Sequence, residues 1–386
     1  MLPAPRPVVC AAWLDNGLLR APGGMETTMK TTIDACRIVA LILSIAACSL
    51  SPAKGEEVGV WKPTGFVGGY APAGAVAFGP GGDVWTFLPS PDGSRSLVRS
   101  RDGGASWTTV TLQTSSRTLS TRTLIADSQN RVWLYVADWG LSHFSSGGDL
   151  LTTTGLAEAL GDSTRMIESP DGYLYRTRFA GYRQVLDRIG VNGDVRTTAS
   201  WPWTSDIVKD LQADAKGALY ILGSILSRST DGGLTWTKLF SVSDYAILFD
   251  WVCVEPDGTL YVCRDIYRST DDGKTWVHLP QPDSGLLQSP LRSLPDGSIA
   301  GTFCLYDWDL NRYRGGPSVS RDKGMTWTEF MPGIEKDDLD IGVVLAASGD
   351  GVVYAYFQFL GNKASQNGLY QMVLPRAGAD KAWTKY

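Results

Sequence analysis

Four copies of one octapeptide constrain this chain more than any other feature: SRDGGASW from Ser100 to Trp107, STDGGLTW from Ser229 to Trp236, STDDGKTW from Ser269 to Trp276 and SRDKGMTW from Ser320 to Trp327. The shared pattern S-x-D-x-G-x-[ST]-W has the chemistry of a tight hairpin turn. Its aspartate (Asp102, Asp231, Asp271, Asp322) accepts hydrogen bonds from turn N–H groups, and its glycine takes a left-handed conformation that few other residues tolerate. The hydroxyl residues add local bonds. The tryptophan (Trp107, Trp236, Trp276, Trp327) opens the outgoing strand and covers the turn with a large apolar face. These four carboxylates therefore read as structural groups.

A second pattern, a turn followed by an apolar strand, fills the gaps. Its copies are GPGGDVWTF near Gly79, DSQNRVWLY at Asp127, SPDGYLY at Ser169, DAKGALYI at Asp214, EPDGTLYV at Glu255, LPDGSIAG at Leu294 and SGDGVVYAY at Ser348. Equivalent inner-strand positions fall near residues 77, 125, 167, 211, 254, 293 and 345, at intervals close to one four-stranded propeller blade. Units of this size cannot bury a face alone, so the spacing predicts one all-β domain over 58–386, a seven-bladed β-propeller of four-stranded antiparallel blades. A six-bladed ring is the alternative. Degenerate turns are expected at HFSSGGDL from His143 and RIGVNGDVRTT from Arg188, and the closing AWTKY copies the strand TWTKL at Thr235. VGVWKPT at Val58 reads as a further outer strand, which either pairs with the last blade or lies against the first.

Residues 1–47 read as a leader. Lys30 and Arg37 precede the apolar run Ile38 to Ala47, which is too short to span a bilayer and ends directly at Cys48. Ile45-Ala46-Ala47-Cys48 resembles a bacterial lipobox, which implies lipidation of Cys48, a short linker over 48–57 and a lipid-anchored place in a bacterial cell envelope. Simple secretion or a periplasmic location is the alternative. Beyond Cys48 only Cys253, Cys263 and Cys304 remain, too few for a disulfide framework. Cys253 and Cys263 flank one turn and read equally as a disulfide or as a buried free pair.

The octapeptide resembles the Asp-box, or bacterial neuraminidase repeat, and the chain from about residue 58 onward resembles the Asp-box β-propellers of the sialidase-like superfamily. Seven-bladed forms similar to the photosystem II assembly factor imply a non-catalytic scaffold that binds a glycan or protein ligand, with the chain acting as a monomer. Exo-sialidases imply the alternative, a hydrolase acting on acidic glycans, with Arg165, Arg264 and Arg292 as an arginine triad and Tyr267 or Tyr313 as nucleophile. Against it, no Arg-Ile-Pro segment or Tyr-Glu pair of the sialidase type is found, and sialidases have six blades. A glycosidase using another pair of carboxylates is a further option.

In a blade of strands a to d, the a–b and c–d turns share one rim, whereas the b–c turns and d–a connections share the other. The octapeptides are c–d turns, so ligand binding is expected on the opposite rim. There the d–a connections bring Arg122, Arg165, Lys209 and Arg292 just ahead of four inner strands, around the channel mouth, and with Arg264 they suggest an anionic ligand. Local ion pairs with Asp210 or Asp250 would cancel that charge. Trp139, Trp251, Asp307, Trp308 and Asp309 place flat rings beside carboxylates, a pairing that suits a sugar face, although inter-blade packing uses the same residue types. Two histidines in 386 residues argue against a His-based triad or a multi-His metal site, so neither metal nor cofactor is expected. The net charge of −5 argues against nucleic-acid binding through general basicity, and contact with a membrane is expected only through the anchor.

Overall fold

The computed structural model describes residues 62–67, 76–79, 82–89, 95–110, 121–136, 140–154, 165–180, 183–200, 207–241, 250–282, 285–294, 296–307, 309, 312–334, 339–347, 352–359 and 366–373. Seven antiparallel sheets follow one another along the chain, and the protein is an all-β, seven-bladed propeller. Blades 1 to 6 occupy 77–110, 121–154, 166–200, 210–241, 251–278 and 286–329, and blade 7 combines 339–373 with 62–67. Residues 1–57, expected from sequence to be leader and linker with Cys48 among them, and the closing AWTKY lie outside the described residues.

The ring is closed by the first strand. β1 (Lys62–Val67) pairs antiparallel with β29 (Gly368–Val373), Lys62 opposite Gln371 and Pro63 opposite Tyr370, so the outermost strand of the last blade comes from the start of the propeller. Thr64 Oγ1 also donates to Leu369 O at 2.9 Å. Of the two sequence readings of this segment, the pairing with the last blade is the one the structure adopts.

Blade 6 departs from four strands. Its inner strand is split into β22 (Leu286–Leu287) and β23 (Arg292–Ser293), both paired with β24 (Ile299–Asp307). Pro290 lies in the gap, where an uninterrupted strand would need a backbone N–H it does not have. The Ser289 hydroxyl fills in by accepting from Thr302 N at 3.0 Å.

The a–b turns of the first six blades share one design. The N–H of the first residue (Gly79, Asp127, Ser169, Asp214, Glu255, Leu294) donates to the carbonyl four residues on, and that of the fourth donates back. The fourth residue (Gly82, Asn130, Gly172, Gly217, Gly258, Gly297) has φ between 60 and 89°. Beyond the turn, an aromatic side chain in the second strand points its polar tip at the turn's carboxylate. Trp133 Nε1 reaches Asp127 at 3.0 Å, Tyr220 OH reaches Asp214 at 3.1 Å and Tyr261 OH reaches Glu255 at 3.2 Å. Opposite these rings on the third strand stand His143, Arg228 and Arg268. His143 stacks flat on Trp133 at 3.8 Å, and Arg228 lies 5.7 Å from the Tyr220 ring.

The core is a set of seams between blades. Between blades 4 and 5, Tyr220, Leu222, Leu226 and Phe240 meet Val252, Leu260, Val262 and Tyr267, all buried. Each octapeptide turn seals such a seam against the preceding blade. A β-carbon on Gly104 would meet Thr64, one on Gly233 would sit 2.6 Å from Leu186 Cδ2, and those on Gly273 and Gly324 would strike Leu239 and Leu279. Trp107, Trp236, Trp276 and Trp327 pack into the same four seams. The degenerate turns keep the arrangement, with Gly148 against Val110 and Gly193 facing Thr152.

Within the turn, Asp231 accepts from Ser229 Oγ, Leu234 N, Thr235 N and Thr235 Oγ1. Asp102, Asp271 and Asp322 hold equivalent bonds. Cys253 and Cys263 are free and buried: Cys263 stands opposite Trp251 and Cys253 opposite Tyr261, so the two cysteines are offset diagonally. Such diagonal neighbours are about 7 to 8 Å apart, beyond ordinary disulfide reach.

Gly233→Ala should therefore destabilise the fold by about 2 to 3 kcal/mol in urea melts, because it adds a clash at φ 90°. Asp231→Ala should cost about 1 kcal/mol, its bonds being solvent-screened. The hydrogen bonds from Thr235, then that from Ser229, hold the Asp231 carboxyl at about 2. Its contribution is complete above the ordinary carboxylate range and vanishes as pH falls through about 2, so the gap between wild type and Asp231→Ala should narrow between about pH 4 and pH 2. Equal costs for the two substitutions would contradict this account of the turn.

Candidate functional site

The rim opposite the octapeptide turns is formed by d–a connections and b–c turns, and at the channel mouth its groups stitch neighbouring inner strands together. Arg165 Nε donates to Lys209 O at 2.7 Å, tying blade 3 to blade 4. Asp210 Oδ2 accepts from Val252 N at 3.0 Å, tying blade 4 to blade 5; further along the inner strands, toward the a–b turns, Cys253 Sγ lies 3.8 Å from Ser293 Oγ, joining blade 5 to blade 6. Inner strands of different blades have no ladder between them, so side chains supply the partners that backbone groups at the mouth require.

Asp210 is the electrostatic centre. It is buried, and burial pushes its carboxyl above the usual range, against the opposing pull of the Val252 N–H, Arg165, the Leu211 N–H and Arg292. Two of the candidate arginines thus act on one buried carboxylate. Arg264 belongs to a second group: its Nη1 lies 3.0 Å from Asp250 Oδ2, and Lys209 Nζ lies 3.5 Å from Asp250 Oδ1. Arg165 and Arg264 therefore come to the mouth together with carboxylates, and the local ion pairing weighed from sequence is present for Arg264; Arg292, expected ahead of an inner strand, instead lies in β23, directly before the a–b turn at Leu294, because the split inner strand of blade 6 begins at Leu286.

The remaining candidates divide. Arg122 lies in the inner strand β6 (Thr121–Ala126) of blade 2, with its side chain outside the described residues, as are Trp139 and Trp308. Trp251 packs against the apolar seam between blades 5 and 6. Asp307 and Asp309 belong to the b–c hairpin of blade 6, where Asp307 pairs with Arg314 at 3.1 Å and accepts from Asp309 N at 3.0 Å. Tyr267, a nucleophile candidate, is buried in the seam between blades 4 and 5. Sequence reasoning does not single out Asp265, His278 and Gln281, which converge on the b–c turn of blade 5 from 13 to 16 residues apart. No short motif marks such a cluster.

A cavity of about 310 Å³ opens on the other rim, among the a–b turns, lined by Ser128, Glu168, Ser169, Pro170 and Asp214 among others. Its carboxylates are engaged locally: Glu168 takes Ser128 N and Oγ, each at 2.7 Å, while Asp214 takes Lys216 N, Ala218 N and Tyr220 OH. Among the described residues, no group of three His, Cys, Asp or Glu side chains is placed to hold a metal ion.

The balance around Asp210 is measurable. Its carboxyl carbon should titrate above the usual range near pH 4 in an NMR pH series, and Arg165→Gln should raise the midpoint further by removing a favourable charge. A carboxyl raised in the folded state stabilises it below the unfolded-state pKa, and that contribution is lost as pH rises through the folded-state value. A midpoint at or below 4, or a downward move in the variant, would contradict this reading.

No protein-family model matches the sequence, and no curated protein sequence matches it. Solved structures do resemble it. A catalytically inactive virginiamycin B lyase from Staphylococcus aureus, with quinupristin, superposes with a TM-score of 0.57 at 16% identity, over 81% of this chain and 100% of the other. YCF48 bound to D1 peptide superposes at 0.55 and 15% identity, over 85% of this chain and 99% of the other. An extracellular domain of a hybrid two-component system from B. thetaiotaomicron superposes at 0.56 and 13%, over 85% of this chain and 42% of the other. One is a lyase, one is bound to a peptide and one belongs to a two-component system, so the likeness establishes the propeller fold alone.

Proposed function

We propose that this protein is a non-catalytic Asp-box propeller that binds a protein partner through the rim opposite its octapeptide turns. The observation that carries the reading is the charge layout of the mouth. Arg264 is paired with Asp250, and Arg165 and Arg292 both act on Asp210, which supports structural stitching of the ring over capture of a small anion. Aliphatic side chains stand exposed on this rim as they do among the octapeptide turns, here Ile207 at 61%, Leu286 at 46% and Leu305 at 56%, and these suit a polypeptide better than sugar hydroxyls. A peptide-bound structure among the similar propellers accords with this reading without establishing it. In this proposal the protein is exported, anchored through a lipidated Cys48, and acts as a monomer.

A screen of the purified propeller against fluorogenic glycosides and sialosides, a glycan array and a peptide array tests the proposal. No glycoside should turn over, and selective binding should occur on peptides. Trp308→Ala, in the blade 6 hairpin, should weaken that binding about tenfold or more, and more than Arg292→Ala does, because aromatic anchors commonly dominate such interfaces. Sialoside hydrolysis, or selective capture of acidic glycans that is lost in Arg292→Ala, would favour the hydrolase alternative instead.

A further inference from the structure

Nine large aliphatic side chains stand exposed among the described residues, and six of them lie on the octapeptide rim: Leu150, Leu151, Val191, Leu234, Val277 and Met325. Each belongs to a c–d turn or to the first residues of the outer strand that follows one, in five successive blades. They form a collar around blades 2 to 6. At the seam between blades 5 and 6, Met325 follows Gly324, whose β-carbon would strike Leu279, two residues beyond Val277. At the seam between blades 2 and 3, Val191 belongs to the turn whose Gly193 faces Thr152, next to Leu151. Neither the strands nor the turns require these side chains. Consecutive strand residues point to opposite faces, yet Leu150 is 56% and Leu151 51% exposed, so neither fills a seam. Leu234, 64% exposed, occupies an octapeptide position that holds Ala105 in blade 1 and Lys274 in blade 5, so the turn forms without an aliphatic residue there.

The path of the chain points to what covers the collar. β1 runs antiparallel to β29 and begins on the octapeptide rim: Lys62 stands opposite Gln371, and a β-carbon on Gly103, in the blade 1 octapeptide, would sit 3.4 Å from Gln371 Oε1. Cys48 precedes Lys62 by 14 residues. Such a connection spans at most about 50 Å. A lipid on Cys48 would therefore tether the ring to a bilayer from the rim that carries the collar, and a tether turns a weak surface contact into an intramolecular one. Charge adds no preference for anionic headgroups, because the octapeptide aspartates stand beside Arg101, Lys274, Arg321 and Lys323. What the collar offers a membrane is apolar contact.

We propose that the octapeptide rim rests on the surface of a lipid bilayer, with its aliphatic collar entering the boundary between headgroups and acyl chains and the partner-binding rim turned away from the membrane. The inference rests on the proposed lipidation of Cys48. It extends membrane contact beyond the anchor, to which the sequence reading confines it. Six separate side chains make a weak contact by themselves, so the collar orients a ring that the anchor already holds.

Hydrogen exchange on the full chain tests the collar without needing the acyl chain, if a polyhistidine stretch replaces Cys48 and holds the protein on phosphatidylcholine vesicles that contain a nickel-chelating lipid. The turns at 229–236 and 320–327 should exchange about threefold more slowly on vesicles than in solution, and should stay protected in about 0.5 M salt, because the contact is apolar. The blade 6 hairpin around Leu305, on the opposite rim, should not change. Leu234→Ser combined with Met325→Ser, both at exposed positions, should remove most of the protection and leave the urea midpoint unchanged. Equal exchange with and without vesicles, protection around Leu305 instead, or protection that survives the double substitution would overturn the proposal. So would slowing that grows with protein concentration in the absence of vesicles, which would assign the collar to a second copy of the chain. The mass of the protein isolated from the cell envelope reads the anchor separately, and an unmodified Cys48 would overturn the anchored reading and the orientation that rests on it, whatever the turns show on vesicles.

Discussion

A sheet of four short strands with two apolar faces cannot stand alone in water, and everything else in this propeller depends on how one blade seals against the next. The seal is made where the second strand pair of a blade turns back. The turn's glycine faces the preceding blade with its bare α-carbon, and the tryptophan lies alongside. Leu186, Leu239 and Leu279 fill the space that a β-carbon would take at Gly233, Gly273 and Gly324. Positive φ at these positions and close approach are two demands met by one residue type. Polar contacts reinforce the seams: Lys323 reaches Glu255 at 2.6 Å and Asp257 at 3.0 Å, and Tyr354 OH donates to Gly103 O at 3.3 Å where the ring closes.

Because the seals lie on one rim, the other is free to vary. The second strands of blades 4 and 5, Leu219–Leu222 and Leu260–Cys263, have 4 residues each, whereas β24 of blade 6 has 9. At about 3.3 Å per residue, the blade 6 hairpin extends roughly 16 Å further than its neighbour. Charged groups at the mouth serve the ring first, by bridging strands that have no ladder between them, and the rim loops then carry what differs from blade to blade. This division explains why composition suggests a basic mouth while the geometry shows mixed charges in contact.

The fold was legible because its determinants are local. Each octapeptide turn holds its glycine, aspartate and hydroxyl groups within 8 residues, whereas the degenerate copies at Ser145–Asp149 and Gly190–Asp194 place glycine fourth and aspartate fifth and take the backbone bonds of the a–b turns. The aromatic tips of Trp133, Tyr220 and Tyr261 were less visible, since their partners are identified only once the turn is folded. The mouth was legible as a list of residues and not as a network. Arg165 reaches Lys209 O over 44 positions and Asp210 reaches Val252 over 42, so these contacts join one repeat to the next and leave no motif. Trp251 shows the limit of residue type as a guide: a ring expected at a ligand site packs in the seam between blades 5 and 6.

Closure by the first strand is where the account is most exposed, because a ring sealed blade by blade must fail at its last joint when that strand is missing. Urea unfolding of a chain lacking residues 1–67, against one lacking only 1–57, measures this directly. The account predicts a clearly lower midpoint for the shorter chain, with recovery when a synthetic peptide of residues 58–67 is added, since Thr64 and its neighbours back onto the blade 1 turn. The same midpoint for both chains would contradict it.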